Sequence, residues 1–273
     1  MSISFNPAVS KGMRETIVEE LHGIEKNHDV RILFAIESGS RAWGFPSPDS
    51  DYDVRFIYAR PNDWYLSITP GRDVIELPID GDLDINGWDI KKALGLLLKP
   101  NPVMLEWLSS PIHYLWDDDV CAKLAAFSEK VTHGPACLHH YLHLGGRQWD
   151  VYVDGKERVN LKKYFYIVRP AMAVRWMRMH PDIIPPMNFQ ELLRGVDLDD
   201  GLTTALEALL HAKSKSKEIG EAPRVDIIDA FIVSEFDWAR EAVKSISGPR
   251  QNLQDAADIL FREIVNGGIS KNV

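Results

Sequence analysis

The chain has 273 residues, 45% of them apolar and 26% charged, with a net charge of −9 at neutral pH. That length holds two domains or one large one, and the composition is that of an ordinary globular protein. The acidic balance argues against broad, sequence-independent binding to nucleic acid, while leaving room for a local basic groove. Only two cysteines occur, Cys121 and Cys137, so no disulfide framework is implied, and their spacing is no zinc signature. No apolar run approaches the length of a bilayer span, and the N-terminus lacks a basic region followed by an apolar core. A soluble, cytoplasmic protein with no membrane partner is expected.

In chain order, Lys11–Lys26 carries Ile17, Leu21 and Ile24 on one stripe and reads as a helix. Val30–Ile36 reads as a strand, and Ser38–Gly44 as a tight turn opening a short helix that Pro46 and Pro48 cut off. Asp51–Ala59 and Asp73–Ile79 read as further strands. Asp80-Gly81 has hairpin chemistry, and Asp82–Trp88 is the returning strand. Asp89 suits a cap for a helix at Ile90–Leu98, and Asn101-Pro102 separates that helix from a short one at Val103–Leu108. Beyond Ser109-Ser110-Pro111 the spacing turns helical: Asp119–Lys130, Pro135–Tyr152, Leu161–Met179, Phe189–Val196, Leu202–Ser214, Val225–Ser245 and Gln254–Val265. His211–Pro223, with its Lys-Ser-Lys-Ser-Lys run, reads as an exposed loop. The fold class is therefore α+β, with a unit of mixed strands and helices at 1–115 and a helical domain at 116–273.

Chemistry concentrates in Glu37–Tyr58. An apolar strand runs into Gly39-Ser40, a turn that lets backbone N–H groups approach a phosphate. Asp51-Tyr52-Asp53 follows at the start of a second apolar strand. A strand alternates sides, so Asp51 and Asp53 project from one face, about 7 Å apart. Paired carboxylates beside a phosphate-binding turn are the layout expected for metal-assisted nucleotidyl transfer, in which two Mg²⁺ ions serve both ends of the displacement. Such a site needs a third carboxylate from a neighbouring strand. Asp84 on the returning strand is preferred, Asp89 is its rival, and Asp82 and Glu76 are further possibilities.

Gly39-Ser40-Arg41-Ala42-Trp43-Gly44 followed by Asp49-Ser50-Asp51-Tyr52-Asp53-Val54 resembles the signature of the DNA polymerase β-like nucleotidyltransferase superfamily. Asn86–Leu94, Asn101-Pro102, Glu106–Pro111, Lys162–Tyr166 and Arg169-Pro170 resemble one branch of it, grouped with an RNA-repair-associated polymerase β-like family. The resemblance covers roughly residues 12–195. It implies a metal site on a small mixed sheet, an NTP donor (most simply ATP) and Mg²⁺. Gly39 and Ser40 would contact the triphosphate, and Asp51 and Asp53 would hold the metals. Members of the superfamily modify RNA or DNA ends, proteins and small molecules, so the acceptor hydroxyl is not inherited.

Other features have plainer readings. Asp82–Gly87 imitates half of an EF-hand loop, but Ala93 stands where the bidentate Glu belongs. His133, Cys137, His139, His140 and His143 read as helix-surface groups rather than a zinc site. Arg147–Arg178 holds eight Lys/Arg against three Asp/Glu; Lys163 and Arg169 are the preferred phosphate contacts there, and Arg41 faces the nucleotide or pairs with Asp49. Tyr164, Phe165, Tyr166 and Trp176 read as core. A catalytically inactive nucleotide-binding module on the same fold is the alternative.

Overall fold

The computed structural model describes residues 4–69, 71–99, 101–215, 221–245 and 252–267. The chain packs as two compact units. One holds Pro7–Ala42, Asp51–Thr132 and the last helix, Gln254–Gly267; the other holds Trp43–Ser50 and the helices that follow His133.

The first unit is built on a mixed sheet of β1 (Arg31–Glu37), β2 (Tyr52–Ala59), β3 (Val74–Glu76), β4 (Leu83–Asp89) and β5 (His113–Trp116), in the order β3-β4-β2-β1-β5. β1 is antiparallel to β2 and β5, β4 is antiparallel to β3, and β2 and β4 run parallel. Successive residues of β1 from Ile32 to Glu37 are all buried. Because neighbours in a strand point to opposite faces, this means the sheet is covered on both sides there. α1 (Lys11–His28) packs on β1 and β5 through Ile17, Leu21 and Ile24, the stripe its periodicity marks. Ser10 caps it by accepting the Met13 N–H at 3.2 Å. α2 (Gly39–Ala42) and α3 (Asn62–Tyr65) are single turns in loops. α4 (Ile90–Leu98) lies on β2 and β4, α5 (Pro102–Leu108) follows it, and α6 (Asp118–Ser128) packs on β1.

The second unit is helical: α7 (Gly134–Tyr152), α8 (Leu161–Met179), α9 (Phe189–Gly195), α10 (Asp200–Lys215) and α11 (Asp226–Ser245). A two-stranded ribbon, β6 (Arg158–Asn160) with β7 (Glu221–Pro223), is added to them. Tyr164 and Phe165 are fully buried, as the core reading expects. Trp43–Ser50 is clasped here by three successive carbonyls. Trp43 O accepts from the Phe189 N–H at 2.8 Å, Gly44 O from Gln190 Nε2 at 2.5 Å, and Phe45 O from Lys213 Nζ. The Phe45 ring stacks on Phe165 at 4.8 Å. Gly44 sits at φ +83°, and a Cβ there would land 2.0 Å from Gln190 Oε1.

Three differences from the sequence expectations have physical causes. Residue 115 lies inside β5, and the units separate between Thr132 and His133, because β5 pairs with β1 and α6 packs on the same strand. β2 starts at Tyr52 rather than Asp51, since its first ladder partner is Leu83 of β4. The Lys-Ser-Lys run does not form an exposed loop: α10 continues to Lys215 and buries Lys213 at 1% exposure, where its ammonium has the Phe45 carbonyl. The rest of that run and the residues up to 220 lie outside the described residues. Among the described residues no helix is long and apolar enough to cross a membrane.

At Gly87, in mid-β4, a Cβ would stand 2.2 Å from the buried Phe56 ring. Gly87→Ala is therefore expected to destabilise the fold by about 1–3 kcal/mol in chemical denaturation, the range of overpacking a tight core.

Candidate active site

The site lies where β1 ends and where β2 and β4 begin side by side. Glu37, the last residue of β1, is wholly buried. Its Oε1 accepts the Asp53 N–H at 2.9 Å and its Oε2 accepts the Tyr114 hydroxyl at 2.5 Å. One residue on, the Ser38 N–H donates to the Asp53 carbonyl at 2.8 Å. Asp53 is thus held at both backbone groups by the strand that leads into Gly39. Gly39 has φ +57°, and a Cβ on it would fall 1.9 Å from Asp53 Oδ2. The glycine corner and the aspartate carboxylate are in contact, as the sequence layout requires. Burial pushes the Glu37 carboxyl from 4.5 up to about 7, against the pull of its bonds from Tyr114 and the Asp53 N–H.

Alternation along β2 sends Val54 and Phe56 into the core and leaves Asp53 and Arg55 on the polar face. The parallel ladder sets Asp84 directly beside Asp53 and Asn86 beside Arg55. The Arg55 guanidinium bridges the two aspartates, with Nη2 at 3.1 Å from Asp53 Oδ1 and 2.7 Å from Asp84 Oδ2. Its Nη1 donates to the carbonyls of Val54 and Asp84, each at 2.9 Å. Asn86 Nδ2 donates to the other Asp84 oxygen at 2.5 Å. Burial raises the Asp53 carboxyl above its ordinary range; Arg55 opposes this, while the charges of Asp84 and Asp51 add to it.

Asp51 precedes β2 and is exposed, with no side-chain hydrogen bond or ion pair among the described residues. It still lies close enough to act on Asp53 electrostatically. The donor chemistry of Asp51 and Asp53, hard carboxylate oxygens, suits a divalent cation such as Mg²⁺. Both Asp84 oxygens accept hydrogen bonds here, one from Arg55 and one from Asn86. Among the described residues no three His, Cys, Asp or Glu side chains are grouped to hold a metal ion. The histidines around α7 form no such group either.

The remaining candidates are placed as follows. Asp89 caps α4 by accepting the Lys91 N–H at 2.8 Å and takes the Tyr65 hydroxyl at 2.9 Å, the capping role its position suggests. Ser40 is buried beside Gly39. Arg41 is buried: Nε donates to Asp51 O at 3.1 Å, Nη1 donates to Ala8 O at 2.6 Å, and the guanidinium lies 3.8 Å over the Tyr52 ring. It braces the backbone that presents Asp51. Lys163 and Arg169 belong to the helical unit. Lys163 lies over the rings of Tyr152 and Tyr166, whereas Arg169 is 2% exposed and donates through Nε to Met187 O beneath Trp43. That burial makes Arg169 a brace of the helical interior. Glu37 and Arg55 are additions that the sequence reading missed. The period-two rule that pairs Asp51 with Asp53 also places Arg55 on that face.

The sequence profile described as the RNA repair pathway DNA polymerase beta family (RlaP) matches residues 13–263. The uncharacterized protein YcgL of Bacillus subtilis (strain 168) is 42% identical over 253 residues, covering 93% of this chain and 96% of that one. Among solved structures, a nucleotidyltransferase-like protein from Exiguobacterium sibiricum 255-15 aligns over 93% of this chain and 91% of its own, at 11% identity and a TM-score of 0.31.

Two outcomes test this geometry. Gly39→Ala combines a left-handed backbone with a collision on Asp53, so a loss of about 1–3 kcal/mol of stability is expected in urea unfolding. A carboxyl that titrates higher in the folded state favours folding at low pH, and that contribution disappears as pH rises through the folded value. For Glu37 it is fully present below about pH 4.5 and lost above about pH 7. Glu37→Gln is expected to flatten the fall in melting temperature across that window, measured against wild type by thermal unfolding.

Proposed function

Because this chain belongs to the RNA repair pathway DNA polymerase beta family, we propose that it is a polymerase β-like nucleotidyltransferase that transfers a nucleoside monophosphate from an NTP, most simply ATP, to an acceptor hydroxyl. Pyrophosphate is the leaving group. The observation that carries the reading is the contact of the Gly39 corner with the Asp53 carboxylate, beside exposed Asp51.

In this reading the triphosphate approaches the backbone N–H groups of the Gly39-Ser40 turn, where the Asp53 carboxylate takes the space that a side chain on Gly39 would fill. Asp51 and Asp53 would hold Mg²⁺ together with phosphate oxygens of the nucleotide. The ion would supply charge stabilisation that the acidic site otherwise lacks. One of the two would help take the proton from the acceptor hydroxyl. Glu37 holds the Asp53 backbone, and Arg41 does the same for Asp51. The acceptor belongs to the class of RNA 3′ ends, protein hydroxyls and small alcohols. An RNA end is favoured by the family description, and a cytoplasmic location accords with it.

The second reading, a catalytically silent nucleotide-binding module, is favoured by the Arg55 bridge across Asp53 and Asp84. Incubation with α-labelled NTPs, Mg²⁺ and a panel of acceptors separates the two, because label transferred to any acceptor rejects the silent module. Asp51→Asn and Asp53→Asn are each expected to lower that transfer by about 10²-fold or more while circular dichroism shows the fold unchanged. Full activity in both variants rejects the site.

A further inference from the structure

Arg55 stands between Asp53 and Asp84, the carboxylate expected to be the third metal ligand. The strand register leaves Asp53 and Asp84 side by side, and the guanidinium fills the gap between Asp53 Oδ1 and Asp84 Oδ2. It is not a loose surface contact. The Arg55 side chain is 18% exposed, and its second nitrogen is fixed by the carbonyls of Val54 and Asp84. A guanidinium is always charged and forks onto carboxylates, so it offsets one of the two negative charges of this pair at every physiological pH. A divalent ion seeking the same oxygens must displace it or do without Asp84.

We propose that Arg55 is a tethered cation that competes with divalent metal for the Asp53–Asp84 pair, so that the free protein binds the ion weakly and takes it up together with the nucleotide's phosphates. The idea rests on the nucleotidyltransferase reading for the role of Asp51 and Asp53. Three aspartates and one arginine leave the cluster at −2, and an incoming metal–triphosphate supplies the oxygen ligands that Asp84 withholds. Asp84 is then a positioning residue: it holds Arg55, and Asn86 in turn holds its other oxygen.

The test is Mn²⁺ binding followed by electron paramagnetic resonance on the full chain without nucleotide, so that catalysis is not the readout. Arg55→Gln is expected to bind Mn²⁺ at least tenfold more tightly than wild type. Arg55→Lys keeps a cation and is expected to stay near wild type. Asp84→Asn in the Arg55→Gln background is expected to erase the gain. In the otherwise wild-type chain Asp84→Asn is expected to cost no affinity, an arm that holds even where Arg55→Gln fails to fold. A folded Arg55→Gln protein that binds no more tightly, or an Asp84→Asn chain that loses tenfold, overturns the inference. The same measurement on wild type with α,β-methylene ATP separates the two levels. Uptake of Mn²⁺ with the analogue but no gain in Arg55→Gln sinks the inference alone, whereas no uptake in either condition sinks the nucleotidyltransferase reading as well.

Discussion

A single buried carboxylate fixes the distance on which the site depends. Glu37 ends β1, and its two oxygens reach the Asp53 N–H on β2 and the Tyr114 hydroxyl on β5. Through these bonds three adjacent strands share one acid, and the turn at Gly39 cannot drift from the aspartate it faces. The arrangement puts an ionisable group where water does not reach, which is why its proton is held so tightly. Ser110 adds a further tie, its hydroxyl donating to the Glu37 carbonyl at 2.7 Å. The corner is therefore held from strand backbones and a fully buried side chain rather than by mobile surface groups.

Much of this was legible in the chain itself. An amphipathic segment such as α11 announces itself by period, and the alternation after Asp53 marks the inward residues of β2. The pairing of Asp84 with Asp53 followed from supposing that the strand after Asp80-Gly81 returns to the sheet. What escaped was short or non-local. β5 spans four residues and β6 and β7 three each, too few for a periodic signal. Lys213 lies in a run whose charge suggests solvent, yet a carbonyl 168 residues away in sequence accepts from it. The role of Arg55 is non-local too, since only the parallel pairing of β4 with β2 brings Asp84 to its guanidinium.

Buried cations and anions recur outside the sheet unit and serve a different end there. Lys213 is lowered to about 8 by burial, with the nearby charge of Lys162 adding to the effect. Glu235, 1% exposed on α11, is raised by burial and steadied by Arg175 and Arg178 of α8. Breaking one partner of such a pair leaves the other charge stranded, so these groups fix which helix meets which more than they add net stability.

The clasp on Trp43–Phe45 changes how the chain can be divided. The segment between the glycine corner and the aspartates has its carbonyls and rings sequestered by α8, α9 and α10. A fragment ending at residue 132 would carry two large aromatic rings and three acceptors with their partners removed, in the stretch that joins the catalytic candidates. Miniaturising this protein to its sheet would strip the linker of the surroundings that give it a shape.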